Sequence, residues 1–309
     1  MPKIFASLTA TALLLALPAH ADDHCQLMEA VSVSMRVDDG GRITVPMSMT
    51  GKPVSMMVDT GSILSLLRFE TAQALGFDIK HVEIGKAGVG IVTMYGGLTV
   101  TEYTKAKDVA IGQLRTDSMG FGILPGNLQE DVDGLIGSDI LGNYDDDYDF
   151  ANGKFNLFSK DHCAGNVVYW TRQPVAVVPF SHDLYGHIIV SVMLDGKNFD
   201  AYLDTGAYRS VAGWEDMHHA FGIDEKSAGV KQQGSADAPR YNYPFKALTF
   251  GGVTVNNPDL TLIPNSESGR GNGGNVRPTL IIGVNVLRQL HLYVAQGEKK
   301  LYITPASSH

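Results

Sequence analysis

Two short stretches of this 309-residue chain carry a carboxylate in a setting suited to acid–base chemistry. Val58-Asp59-Thr60-Gly61-Ser62 is answered by Leu203-Asp204-Thr205-Gly206-Ala207, 145 positions further on. The residues ahead of each copy align without a gap, Ile43 with Ile188, Gly51 with Gly196 and Lys52 with Lys197. A single Asp-Thr-Gly is an ordinary way out of a strand, because Asp and Gly both favour turns; the repeated context sets these two apart. Two carboxyls held about 3 Å apart cannot both ionise easily, so they share one proton. The ionised member can take a proton from water while the protonated member donates toward a carbonyl oxygen, which hydrolyses a bond without metal or covalent nucleophile. Such a pair titrates as a unit, and the sequence assigns neither Asp59 nor Asp204 as base or acid.

Chemistry of that kind needs each Asp fixed at the exit of a buried strand. The apolar runs at 54–58 and 199–203 supply those strands, and each follows a tight turn, Gly51-Lys52-Pro53 or Asp195-Gly196-Lys197. Ile43–Met49 and Ile188–Leu194 precede the turns, so each half predicts a hairpin running into its Asp. Gly61 and Gly206 let backbone pass beside a carboxylate where a Cβ would crowd it. Helices are expected at 69–75 and 214–221, stopped by Gly76 and Gly222. Each half ends in a hairpin-like pair, 148–150 with 154–158 and 290–294 with 300–303. A second landmark follows each motif: Leu135-Ile136-Gly137 ends 78 residues after Asp59, and Ile281-Ile282-Gly283 ends 79 after Asp204.

Two apolar residues and a Gly, downstream of hydrophobic-hydrophobic-Asp-Thr-Gly and present in both halves, resemble the pattern of the aspartic peptidases. The likeness runs from about Ile43 to Ile303 and looks closest to a single-chain, two-lobed member with compact, retropepsin-like lobes. It implies an all-β fold of two homologous pepsin/retropepsin-like β-barrel lobes, with a few short helices and the active-site cleft between them. It further implies Asp59 and Asp204 as the catalytic pair, and Thr60 and Thr205 interlocked across the lobe boundary. Ile136, Gly137, Ile282 and Gly283 would support the Asp loops from beneath. Ser62 is placed to hydrogen-bond Asp59 from its outer side, as Ala207 cannot do for Asp204. In the Gly-rich segment 85–101, Tyr95 is the flap candidate, with a half-buried strand tyrosine as the alternative; 229–243 is the matching segment of the second half. The implied activity is endopeptidase cleavage of extended peptides or proteins at apolar side chains. A catalytically silent peptide-binding module on the same fold is the alternative. Pepsin-like zymogens carry a long basic pro-segment, but residues 22–40 hold only Arg36 among Lys and Arg, so no such plug is expected.

Residues 1–21 have the order of a secretory signal: Lys3, an apolar run over 4–17 too short to span a bilayer, then Ala19-His20-Ala21. Export, with the periplasm as destination, and a mature chain of 22–309 are the expectation. The expected organisation is a first lobe at 22–165, a linker at 166–180 and a second lobe at 181–309. Losing Lys3 takes the formal charge from −9 to −10, which argues against nucleic acid or an anionic membrane as partner. Covalent linkage of the two motifs favours an internal pair, hence a monomer. Cys25 and Cys163 bracket the first half and are expected to form a disulfide worth about 4–5 kcal/mol in a loop-entropy account, with two free thiols as the alternative. No metal or other cofactor is expected. Asp145-Asp146-Asp147 with Asp149 lacks the Gly and terminal Glu of a calcium loop and reads as a solvated turn. His182 with His187, and His218 with His219, have no companions at metal-ligand spacing. No Gly-x-Ser-x-Gly nucleophile elbow is present.

Overall fold

The computed structural model describes residues 26–82, 92–93, 99–124, 132–235, 238–267 and 278–307. In the first lobe the alternating run Ile43–Met49 turns its odd positions inward, Ile43, Val45, Met47 and Met49 all being buried. Its partner Lys52–Val58 ends on Met56, Met57 and Val58, equally buried. Each such side chain contributes about 1.5–3 kcal/mol of transfer free energy, so the strand that delivers Asp59 is held along its length. At the turn between them Thr50 and Gly51 have φ of 51° and 72°; Asp195 and Gly196 repeat this at 44° and 83°. Positive φ at both central residues marks the two-residue turn whose twist suits a hairpin. The shared backbone demand explains why Gly51 and Gly196 align.

The first lobe closes on itself. Ile43–Met49 pairs with Lys52–Val58, then the order runs through Gly134–Ile136, Leu66–Leu67, Leu114–Ile123 and Glu102–Ile111, which returns to pair with Ile43–Met49. The second lobe repeats the centre of this path. Lys197–Leu203 lies parallel to Leu280–Ile282, and Ser210–Gly213 runs antiparallel to that strand. The expected helices are present as Phe69–Ala74 and Trp214–Phe221. Two more, Ser138–Leu141 and Val284–Leu287, start directly after Gly137 and Gly283.

The closing hairpins merge. Asp145–Asp149 pairs with Lys154–Phe158 on one side and with Leu290–Ala295 of the second lobe on the other. Glu29–Ser34 and Ala176–His182, with Lys300–Pro305, complete an antiparallel sheet that both lobes build. The acidic run is therefore a strand, which corrects the expectation of a solvated turn: Asp145, Asp146 and Asp147 are fully buried. Donors on the face of Asp145 and Asp147 make this tolerable. Asp145 lies 2.6 Å from His162 Nε2 and accepts from Tyr293 Oη and the Gln296 amide. Asp147 accepts from Asn156 Nδ2 at 2.8 Å and Tyr169 Oη at 2.6 Å, and lies 2.8 Å from His291 Nε2. The Trp170 ring stacks on His291 at 4.3 Å. Asp146 faces the other way, where Gln296 Nε2 reaches one oxygen at 3.2 Å and the second has no partner among the described residues. Burial accordingly pushes the Asp146 carboxyl well above the usual range.

Residues 1–25 lie outside the described residues, and with them the signal segment and Cys25 of the expected bridge to Cys163. Tyr95 and most of the 85–101 flap segment also lie outside them. In the second lobe, Lys231–Ser235 and Ala238–Asn242 form a hairpin whose first strand is exposed and whose second buries Tyr241 and is tied by Arg240 to Glu267 at 2.8 Å.

Candidate active site

Asp59 and Asp204 each occupy the first position past a strand that ends on a buried residue, Val58 or Leu203. The amide of Asp59 donates to the Ile136 carbonyl at 3.0 Å, and that of Asp204 to the Ile282 carbonyl at 3.0 Å. Ile136 and Ile282 thus fix the start of each Asp loop. The following glycines are tied as well: Gly137 N–H donates to Ser65 Oγ and Gly283 N–H to Ser210 Oγ, both at 2.9 Å. Ser65 Oγ in turn donates to Asp139 Oδ1 at 2.6 Å, and Ser210 Oγ to Asn285 Oδ1 at 2.8 Å.

The two loops meet across the lobe boundary. Thr60 Oγ1 donates to the Leu203 carbonyl at 2.8 Å and accepts the Thr205 amide at 3.0 Å. Thr205 Oγ1 donates to the Val58 carbonyl at 2.9 Å and accepts the Thr60 amide at 3.0 Å. Both side chains are buried, so these bonds face no competition from water. The glycines set the spacing. A Cβ on Gly61 would fall 2.5 Å from the Asp204 carboxyl, and one on Gly206 would fall 2.2 Å from Asp59 Oδ1. Each glycine leaves room for the carboxyl of the opposite lobe.

The two carboxyls lie close enough for each to act on the ionisation of the other. Burial, and then the charge of Asp204, push Asp59 up to about 8, against the Gly61 and Ser62 amides that favour its ionised form. Burial also raises Asp204; the Gly206 and Ala207 amides at 2.8 and 3.1 Å and the positive charge of His187 act against it. Ser62 departs from expectation. Its hydroxyl donates to the Leu64 carbonyl at 2.8 Å, a local partner within the turn, so it is no outer-side donor to Asp59.

Three repeated features went unread in the sequence: Ser65 with Ser210, Asp38 with Asp183, and Arg42 with His187. All keep the 145-residue offset of the two motifs, which is the signal that could have found them. Arg and His at the third position look unrelated until their Asp partners are seen.

The profile of a family described as aspartyl protease matches the chain twice, over residues 45–140 and 190–286, more than half of it. The chain belongs to that retropepsin-like aspartyl protease family, one match falling in each lobe. Among solved structures, the crystal structure of basic 7S globulin from soybean shares the fold, with a TM-score of 0.52 at 10% identity, covering 92% of this chain and 96% of that one. At that identity the likeness carries the two-lobed, pepsin-like β architecture alone. No curated protein sequence matches the chain.

Proposed function

We propose that the chain is an aspartic endopeptidase whose Asp59 and Asp204 hydrolyse a peptide bond by general acid–base activation of water. The observation that carries this reading is the mutual fit of the loops, in which Gly61 abuts the Asp204 carboxyl and Gly206 abuts that of Asp59. One proton shared by the pair leaves one carboxylate to draw a proton from water and one acid to donate to the substrate carbonyl. The water attacks the carbonyl carbon, and the resulting tetrahedral species collapses as the amine leaves with a proton from the pair. The raised pKa of Asp59 favours keeping that proton from acid to near-neutral pH. Family membership supports a peptide or protein as substrate. Export to the periplasm, a Cys25–Cys163 bridge and a monomeric state belong to the same proposal and rest on the sequence.

The test is digestion of an unstructured protein between pH 3 and 8 by the mature chain, with Asp59→Asn, Asp204→Asn and a pepstatin-like inhibitor in parallel. Wild type is expected to cleave, and each substitution to lower the rate by at least about 10²–10⁴-fold. A folded wild type inert at every pH would overturn the reading and leave a peptide-binding module.

A further inference from the structure

Each lobe carries a turn just ahead of its Asp hairpin, 38–42 in the first and 183–187 in the second, closed by its leading carboxylate. Asp38 accepts the Arg42 amide at 2.8 Å, and Asp183 accepts that of His187 at 3.0 Å. Each turn lies against the Asp loop of the opposite lobe. A Cβ on Gly41 would meet Tyr208 Cβ at 3.2 Å, while Tyr185 and Gly186 wall a cavity together with Thr60 and Ile63. Gly41 and Gly186 keep the 145-residue offset of the repeat, and so do Ile63 and Tyr208. The packing does not repeat. A Cβ on Gly186 would meet nothing within 4 Å. The second lobe's loop is thus pressed on its turn, and the first lobe's loop leaves a space of about 390 Å³.

That space adjoins the carboxyl pair. Thr60, in its wall, follows Asp59 in the chain, and the next residue, Gly61, abuts the Asp204 carboxyl. Pockets that take small ligands run from about 300 to 1,000 Å³. Ile63, Leu141 and Ile188 give this one apolar walls, and Tyr185 and Lys160 line it while exposed, so it opens to solvent. Its polar lining is rich in donors. Lys160 Nζ donates to the Gly142 carbonyl, forms no ion pair among the described residues and keeps hydrogens for a further acceptor. Gln296 Nε2 gives one hydrogen to Asp146 at 3.2 Å and keeps the other. Asp146 brings Lys160 no counter-charge, because burial favours its neutral form. Among the described residues in the wall, Asp139 alone carries a carboxylate, and it already accepts from Ser65 Oγ at 2.6 Å.

We propose that this cavity is a specificity pocket that takes a glutamate side chain of the substrate close to the scissile bond, its methylenes against Ile63 and Leu141 and its carboxylate on Lys160 and Gln296. The inference rests on the reading of Asp59 and Asp204 as the hydrolytic pair. A peptide laid across both Asp loops finds this space on the side of Ile63, whereas on the other side Tyr208 is packed against the 38–42 turn. Selection is therefore one-sided, and a single substrate residue dominates it.

The test is kcat/KM at about pH 6, where a glutamyl side chain is ionised. The substrate is a peptide that wild type cleaves, with Glu, Gln, Ala and Lys placed in turn at each position flanking the scissile bond. One position should favour Glu over Gln by about three- to tenfold, with Lys the poorest. Lys160→Gln should erase the preference for Glu over Gln, and Lys160→Arg should retain most of it. Ile63→Tyr, which installs the side chain of the second lobe, should lower the ratio of Glu to Ala at that position by at least about tenfold. Equal rates for all four residues at every position, a preference for Lys, or a Glu preference that survives Lys160→Gln overturns the proposal. Fluorescence anisotropy of labelled octapeptides bearing one Glu, Gln or Lys, added to Asp59→Asn, reads the pocket without turnover. If wild type cleaves nothing while Asp59→Asn binds the Glu peptide more tightly than the Gln peptide, and Lys160→Gln abolishes that difference, the hydrolytic reading fails and the pocket stands.

Discussion

Thr60 and Thr205 each donate to the carbonyl one residue before the other's Asp, at 2.8 and 2.9 Å, and each accepts the other's amide. Replacing Thr205 by Val keeps the shape and removes the hydroxyl. The Val58 carbonyl and Thr60 amide then stay buried without that partner, at a cost of about 1–3 kcal/mol each. The double variant Thr60→Val with Thr205→Val should cost less than the sum of the singles, since both act on one network. Urea unfolding of the four proteins measures this, and strict additivity would count against a shared network.

Gly206→Ala should abolish cleavage while leaving most of the β-sheet signal intact. Its Cβ would lie 2.2 Å from Asp59 Oδ1, so the loops must part by more than an ångström to admit it. Turnover and far-UV circular dichroism together check the outcome; a variant of wild-type activity would show that the carboxyls stand further apart.

Asp146 makes stability depend on pH. Burial raises its folded-state value above that of the unfolded chain, so its contribution is complete at acid pH and is lost as pH rises through the raised value. Asp146→Asn cannot ionise and should be little changed near pH 4, then increasingly more stable than wild type toward pH 8. Parallel urea midpoints at both pH values would refute this.

His291 and Asp147 form a pair across the lobes, their side chains only 4% and 0% exposed. His291→Ala should destabilise the chain by about 3–5 kcal/mol, because it strips a buried carboxylate of one partner. Adding Asp147→Asn should restore part of that loss in thermal unfolding.

The duplicated Asp hairpins, the two longer helices and the Ile-Gly supports were legible because each rests on a local rule: alternation, a positive-φ turn, a glycine stop. What escaped the sequence depends on distant partners. Asp145, Asp146 and Asp147 look like solvent-loving residues until His162, His291, Tyr169, Tyr293 and Gln296 arrive from 17 to 150 positions away. The Ser62 hydroxyl donates not to Asp59 but to the Leu64 carbonyl two residues on. The 138–141 and 284–287 helices are a single turn each, too short for any periodicity to announce.

The sheet shared by the lobes also dictates an order of events. Asp146 pairs with Val294, 148 positions later, so one edge of its strand stays open until the last part of the second lobe exists. During synthesis the first barrel can close by itself, because its ring uses only residues 43–136. Its acidic strand must wait, and the Asp run then keeps that waiting edge charged, a poor template for pairing with another copy. Assembly of the cleft is therefore the late, long-range step of folding, and the slow one.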